Sequence, residues 1–389
     1  MSGLFFGEVK TAAFLRRPNR FIVECDLDGE TVRAYLPNPG RLWELFFPGV
    51  NLYLSAAAKG RRTAYTVVAV ERDGLPVMLH THKTNEVIHQ LLAEGRIPGL
   101  EDAAVIRPEV KVGRHRFDFL LERQGKPFYL EVKSCTLFEG AMAMFPDAVT
   151  DRGRRHLEEL AALSRQEGVA CGVLIAVQWP RARWFLPDYH TDYAFAQTFL
   201  AVRKDLWLQA LALSWHDDLS LGDAVAPVAI PWDFLEKELQ DGGCYLLVLA
   251  VTAELGLTIG SLGERLFRPG YYVYTGSARK NLSRRIERHC RKRKNFHWHI
   301  DYLRHAAASC TALAVRTTED LEHELAQALR PIAEGETPRF GCSDCACSSH
   351  LFYFAENPLH HRPFIDMLQR FRMGRIEAQL LSPTEACST

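Results

Sequence analysis

Residues 117–134 read FDFLLERQGKPFYLEVKS, and their two-residue alternation points to a β-hairpin turning at Gln124-Gly125. With either a two-residue or a four-residue loop there, residue 118 falls opposite residue 131. Side chains alternate at period two, so Glu131 and Lys133 share a face and Asp118 joins them across the strands. Two carboxylates directly opposite one another repel. A divalent cation between them removes that conflict, and hard oxygen ligands suit Mg²⁺ or Mn²⁺. Lys133 then stands beside the metal, placed to orient or deprotonate a water or to stabilise phosphate charge, as metal-assisted phosphodiester hydrolysis requires. Glu109, in PEVKVG on the preceding strand, extends the group. The plainer alternative is an exposed hairpin face with an ordinary Glu-Lys pair.

At 389 residues the chain is too long for one ordinary core, so two or three domains are expected. Apolar residues at 47% and charged residues at 24% are those of a soluble globular protein. The formal net charge of +0 gives no global signal for a nucleic-acid partner, so any basic surface must be local. The start of the chain, MSGLFFGEVKTAAFLRRPNRF, is too short and interrupted in its apolar stretch for a signal peptide or a membrane span. Six cysteines (Cys25, Cys135, Cys171, Cys244, Cys290 and Cys310) lie scattered in apolar or mixed segments, as small buried hydrophobes do in a reducing cytosol. A cytoplasmic protein without a membrane partner is therefore expected, and a homo-oligomer is compatible with the sequence.

The pattern along the chain predicts an α/β multidomain protein. Short β-like runs with turn dipeptides at Asp28-Gly29 and Asp73-Gly74 make residues 1–80 an OB-like β-barrel. TNEVIHQLLAEGRIPG reads as a helix capped by Thr84 or Asn85 and ended by Gly95. Strands and helices then alternate, giving a mixed α/β domain over 81–222. Two prolines, Pro227 and Pro231, and the Gly242-Gly243 pair at its end mark 223–242 as a linker. A small α/β domain follows over 243–357, and 358–389 form a C-terminal amphipathic helix and tail.

Asp followed by Glu-x-Lys on a hairpin is the signature of the PD-(D/E)XK nucleases. More narrowly, PNPGRLWELFFPGV, KTNEVIHQLLAEGRIPGL, RPEVKVG, RFDFLL, YLEVKSCTL and FPDAVTDRGRRHLEEL make residues 10–220 resemble the sugar fermentation stimulation protein A (SfsA) family. That resemblance implies an OB-like domain, a nuclease-like domain and DNA binding. It carries the family's acids and lysine onto Glu109, Asp118, Glu131 and Lys133. It also carries a TxRGxxHL motif onto Thr150, Arg152, Gly153 and His156. Arg152 and His156 share a helical face and can touch a phosphate, or they cap and solvate that helix.

Between Arg284 and Lys294, RRIERHCRKRK holds seven Lys or Arg against one Glu. Arg284, Arg288, Arg291, Lys292, Arg293 and Lys294 are thus candidate nucleic-acid contacts, although charge runs are usually solvated faces. The order Gly243-Cys244-Tyr245, Tyr274-Thr275-Gly276, basic helix and acid-rich helix resembles the GIY-YIG endonucleases. It is closer still to an uncharacterised relative of theirs that carries HWHIDYL and SDCxCxSHLFYF. The resemblance implies two cleft tyrosines, an arginine and a metal-holding glutamate, falling on Tyr245, Tyr274, Arg285 and Glu322, the last as a Mg²⁺ ligand. Gly-Cys-Tyr and Ser277 depart from the GIY-YIG pattern, which makes binding a safer expectation than catalysis. Cys342, Cys345, Cys347 and His350, spaced C-x2-C-x-C-x2-H, are a candidate zinc knuckle, the alternative being a turn with buried thiols.

The leading expectation is a DNA-binding, metal-dependent nuclease with a second nuclease-type fold. The alternative is a non-catalytic DNA- or RNA-binding regulator. Trp43, Phe46 and Phe47 on the OB-like domain suit single strands of either kind.

Overall fold

A computed structural model of the chain describes residues 5–381, apart from 59, 114, 343 and 344. The chain divides into two compact units, Met1–Asp188 with Ala194–Leu235 and Ile376–Thr389, and Tyr189–Tyr193 with Glu236–Arg375. No helix among the described residues is long and apolar enough to cross a membrane.

The first unit opens with β1 (Val9–Asn19), β2 (Ile22–Leu27), β3 (Glu30–Tyr35), β4 (Asn51–Ala56), β5 (Tyr65–Arg72) and β6 (Leu75–Met78). They pair in the order β3-β2-β1-β4-β5-β6, and β3 also pairs with β5 in parallel, closing a small barrel as expected for an OB-like domain. Asp28-Gly29 and Asp73-Gly74 close its hairpins, with positive φ at both residues of each turn. Phe46 and Phe47 are both buried, Phe46 stacking on Phe14 at 5.0 Å. This corrects the expectation that they serve as surface platforms for bases. Trp43 is partly buried, with the Arg41 guanidinium 4.9 Å over its ring.

Next come α1 (Thr81–Ala93), β7 (Ala104–Val112), β8 (His115–Arg123) and β9 (Lys126–Cys135). They are followed by β10 (Leu137–Glu139), β11 (Met142–Phe145), α2 (Asp151–Ser164), β12 (Ala170–Val177) and β13 (Trp184–Pro187). The unit continues through α3 (Tyr193–Ala201), β14 (Trp207–Trp215), β15 (Leu221–Val228) and α4 (Trp232–Glu238). The main sheet runs β15-β14-β12-β9-β8-β7, with β12 parallel to both β9 and β14. Val132, Leu174, Ala176, Leu211 and Leu213 from its central strands pack with Val87, Ile88 and Leu91 of α1 in one core. Residues 223–228, expected as linker, belong to β15, which pairs antiparallel with β14. Pro227 misled the sequence reading: a proline fits a strand when that strand is the sheet's edge.

The second unit contains β16 (Gly243–Val251), β17 (Leu255–Ile259), β18 (Gly263–Phe267) and β19 (Gly270–Ala278). It goes on with α5 (Leu282–Cys290), α6 (His299–Ala306), β20 (Ser309–Arg316), α7 (Glu322–Leu329), β21 (Gly335–Glu336) and β22 (Leu351–Phe354). Its antiparallel sheet runs β20-β16-β19-β22-β21. The C-terminal stretch is helical as expected, but a π-helical turn at Arg370–Gly374 separates α8 (Arg362–Gln369) from α9 (Arg375–Leu381). Cys25, Cys135, Cys171 and Cys244 are buried, whereas Cys290 and Cys310 are partly buried with their sulfurs 3.9 Å apart.

Candidate active site and nucleic-acid cleft

Gln124 and Gly125 form the two-residue turn between β8 and β9, at φ 52° and 72°. The register pairs Arg123 with Lys126 and Phe119 with Leu130. One step further brings Asp118 to Glu131, the opposition read from the sequence. The alternation that buries Phe117, Phe119, Leu130 and Val132 forces the two acids together.

Each acid is partly compensated by the protein itself. Asp118 Oδ2 accepts the Val132 N–H at 2.7 Å, and Oδ1 accepts the Asn85 amide at 2.7 Å. Burial first, and the facing charge of Glu131 second, still push the Asp118 carboxyl up to about 6. Glu131 is buried, and its Oε1 takes the Lys133 ammonium and lies 2.6 Å from His156 Nδ1. Burial opposes its charge, but the His156 hydrogen bond and the Lys133 charge outweigh that cost and hold the carboxyl below its ordinary value. Glu131 Oε2 is buried with no hydrogen-bond partner among the described residues.

Helix α2 supplies His156 from its second turn. Thr150 caps the helix, its Oγ1 accepting the Gly153 N–H at 3.0 Å. Arg152 is exposed one turn before His156, its Nε 3.5 Å from His156 Nε2. The motif therefore divides its work: the threonine caps, the histidine is buried against Glu131, and the arginine faces out. Glu109 holds a left-handed backbone at φ 53° and pairs with Arg116, its side chain largely exposed. Glu109, Asp118, Glu131, Lys133, Arg152 and His156 line one cleft of about 850 Å³.

Asn85 was missed as a site residue. The sequence suggested a cap, but α1 begins at Thr81, which puts Thr84 and Asn85 inside the helix. Thr84 is buried there, and Asn85 presents its amide to Asp118 instead. Asn85 sits among Thr81, His82, Glu86 and His89 on the polar, cleft-lining face of α1, so nothing in the local pattern sets it apart. A second cleft, of about 920 Å³, carries Arg61, Arg62, His80 and Lys83 and shares His82 with the first.

In the second unit, Tyr245 and Tyr274 lie on adjacent strands with ring centroids 6.4 Å apart. Both are buried, and His289 stacks on Tyr245 at 5.7 Å. Burial drives the Tyr245 phenol well above its ordinary proton affinity, so it is neutral. Arg285 stacks 4.7 Å over Trp298. Glu322 is committed elsewhere: it accepts the Ser277 hydroxyl and faces His350 Nδ1 at 3.0 Å.

The basic run is also divided. Helix α5 stops at Cys290, and Arg291, Lys292 and Arg293 lie exposed beyond it. Lys294 is buried against Asp301 at 3.0 Å, and Arg288 reaches the same carboxylate at 3.0 Å. These two candidate phosphate contacts are corrected to an internal ion cluster. A fully buried carboxylate demands them both. Among the described residues, the His/Cys/Asp/Glu group whose ligand atoms all lie within 4.8 Å of one another is His323, Cys345, Cys347 and His350, without Cys342.

A sugar fermentation stimulation protein homolog from Moorella thermoacetica is 37% identical over 222 residues, covering 56% of this chain and 95% of that protein. The chain belongs to the sugar fermentation stimulation protein family. A homolog from Saccharolobus solfataricus is 40% identical over 215 residues, 54% of this chain and 83% of that one. The structure of Pyrococcus furiosus SfsA in complex with Ca²⁺ is similar at a TM-score of 0.54 and 27% identity, covering 58% of this chain and 96% of that chain. Residues 15–79 match the SfsA N-terminal OB domain and 82–216 the sugar fermentation stimulation protein RE domain. Residues 244–373 match a domain of unknown function, DUF123. The SfsA-like part thus carries both the barrel and the acid pair, and the resemblances drawn from the motifs fall on the same segments. An OB domain beside a nuclease-like fold suggests DNA binding.

Proposed function

We propose that this SfsA-family chain is a metal-dependent nuclease acting on DNA through the Asp118–Glu131–Lys133 site. The observation that carries this reading is the orphaned Glu131 Oε2, buried beside a second carboxylate of raised proton affinity. Oxygen donors of this kind fit Mg²⁺, Mn²⁺ or Ca²⁺, and Ca²⁺ accompanies the related Pyrococcus protein. Asp118 and Glu131 would hold the ion, with Glu109 at the cleft rim. Once bound, such an ion supplies Lewis-acid polarisation of phosphate and acidification of water.

The chain's own residues do the rest. Asn85 and the Val132 N–H hold Asp118 in place, and His156 fixes Glu131. Lys133 contributes a positive charge at the place where a phosphate would meet two acids. Arg152, and Arg61, Arg62 and Lys83 along the second cleft, supply phosphate contacts that draw a polyanion towards this otherwise acidic centre. Simple binding would be stronger without the facing acids, which favours catalysis.

One observation favours the alternative of a non-catalytic DNA- or RNA-binding regulator: three of the four carboxylate oxygens are already partnered by protein groups. In the second unit, the neutral, buried Tyr245 and the engaged Glu322 support a nucleic-acid-binding role, with Arg284, Arg285, Arg291, Lys292 and Arg293 as its contacts. Cleavage of plasmid, single-stranded DNA and RNA with Mg²⁺ or Mn²⁺ separates these readings. Loss of activity in Lys133→Ala with retention in Arg285→Ala is expected. A wild type that shifts nucleic acid in a gel but cuts none of the three would leave the regulator.

A further inference from the structure

His323, Cys345, Cys347 and His350 bring four ligand atoms within 4.8 Å of one another. Cys345 Sγ is 3.4 Å from His350 Nε2, and Cys347 Sγ is 3.4 Å from His323 Nδ1. With Zn–S about 2.3 Å and Zn–N about 2.0 Å, the sulfur–nitrogen edge of a zinc tetrahedron is about 3.5 Å long. We propose that these four side chains form a structural zinc site, with His323 in the place the cysteine spacing had suggested for Cys342.

The exchange of one ligand resolves the geometric objection to the sequence motif. Four ligands within nine residues crowd a tetrahedron, whereas His323 comes from the first turn of α7, outside the loop that holds the others. Cys342 is buried, with its sulfur towards the Ser348 carbonyl at 3.8 Å. Two separate thiol–imidazole hydrogen bonds would account for each short contact, but they give no reason for the pairs to converge on one point. Two thiolates and two neutral imidazoles also balance the charge of Zn²⁺, and a closed set of four protein ligands belongs to structural rather than catalytic zinc.

The surroundings supply the outer partner such sites use. His350 is buried and points Nε2 at Cys345, while its Nδ1 faces Glu322 Oε1 at 3.0 Å. A carboxylate on the far ring nitrogen fixes the tautomer and orientation of a zinc-binding histidine. Ser277 on β19 donates to Glu322, linking the quartet to the central sheet. Glu322, the residue that the GIY-YIG resemblance offers as a magnesium ligand, is therefore a positioning residue for zinc. The ion staples α7 to the segment entering β22.

The test is the metal content of the full chain purified without chelator, with a tetrahedral cobalt–thiolate absorption spectrum after exchange as second readout. Wild type and Cys342→Ser should each carry about one zinc, and Cys345→Ser, Cys347→Ser and His323→Ala should carry little. Because His323 is exposed, His323→Ala should keep its circular dichroism and still lose the metal. Glu322→Gln should retain zinc but bind it about tenfold more weakly in chelator competition. A wild type that neither contains zinc nor gives the cobalt spectrum overturns the proposal. So does zinc that persists in His323→Ala or is lost in Cys342→Ser.

Discussion

Replacing Asp118 by asparagine should stabilise the metal-free protein, and the gain should vanish in acid. The ordinary aspartate value of 3.8 is displaced to about 6 in the folded chain, by burial and by Glu131. An acid displaced upwards favours folding in its protonated form. Its contribution is intact below about pH 4 and is lost as pH rises through about 6. At about 1.4 kcal/mol per tenfold change in proton affinity, the ionised carboxylate costs up to about 3 kcal/mol at pH 8. Solvent reaching the partly exposed side chain reduces this to about 1–2 kcal/mol. Asparagine keeps an acceptor for the Val132 N–H, and Asn85 can turn its amide to match the new one. For a unit of this size the gain corresponds to a rise in Tm of roughly 3–6 °C. Scanning calorimetry of both proteins in EDTA, at pH 8 and at pH 4.5, measures it. Wild type melting at or above the variant at pH 8, or a gap that stays constant down to pH 4.5, would refute the electrostatic reasoning. Added Mg²⁺ or Ca²⁺ should raise the Tm of wild type only, the trade expected when a site is strained for use.

Asn85→Ala removes a donor to the ionised form of Asp118, so that carboxyl should hold its proton more tightly and divalent-ion affinity at pH 7 should fall about tenfold by calorimetric titration. The two halves of the basic run should separate cleanly. Lys294→Ala should cost about 1–3 kcal/mol of stability, read from denaturant unfolding, because it opens the buried Asp301 cluster. Arg291→Ala with Arg293→Ala should leave the unfolding midpoint unchanged, yet weaken DNA binding and flatten its salt dependence by about one contact each.

How much of this was legible depends on how far along the chain the signal travels. Asp28-Gly29, Asp73-Gly74 and Gln124-Gly125 are local signals, and each makes the two-residue turn its dipeptide favours. The Gln124-Gly125 turn fixes register, and register alone puts Asp118 against Glu131. Asn85 reaches Asp118 from 33 residues away and His323 meets Cys347 from 24, so neither partnership leaves a trace in local spacing. Phe46 and Phe47 failed for another reason. An aromatic in a loop reads as exposed until the barrel that covers it is known.

The acid pair also explains why the sequence can carry such a liability. Lys133, His156, Asn85 and the Val132 N–H compensate three of the four carboxylate oxygens, and all but Asn85 come from the hairpin or the helix after it. Asp118 nevertheless keeps a raised proton affinity, and one oxygen of Glu131 has no hydrogen-bond partner among the described residues. On the proposed function, Asp118 and Glu131 would hold the cation, with Glu131 Oε2 available to it and Oε1 shared with Lys133 and His156. On that reading the Lys133 ammonium would stand beside the acids, where a phosphate needs a positive charge. The lysine that compensates Glu131 would thus, on the proposed function, be the group that meets the phosphate.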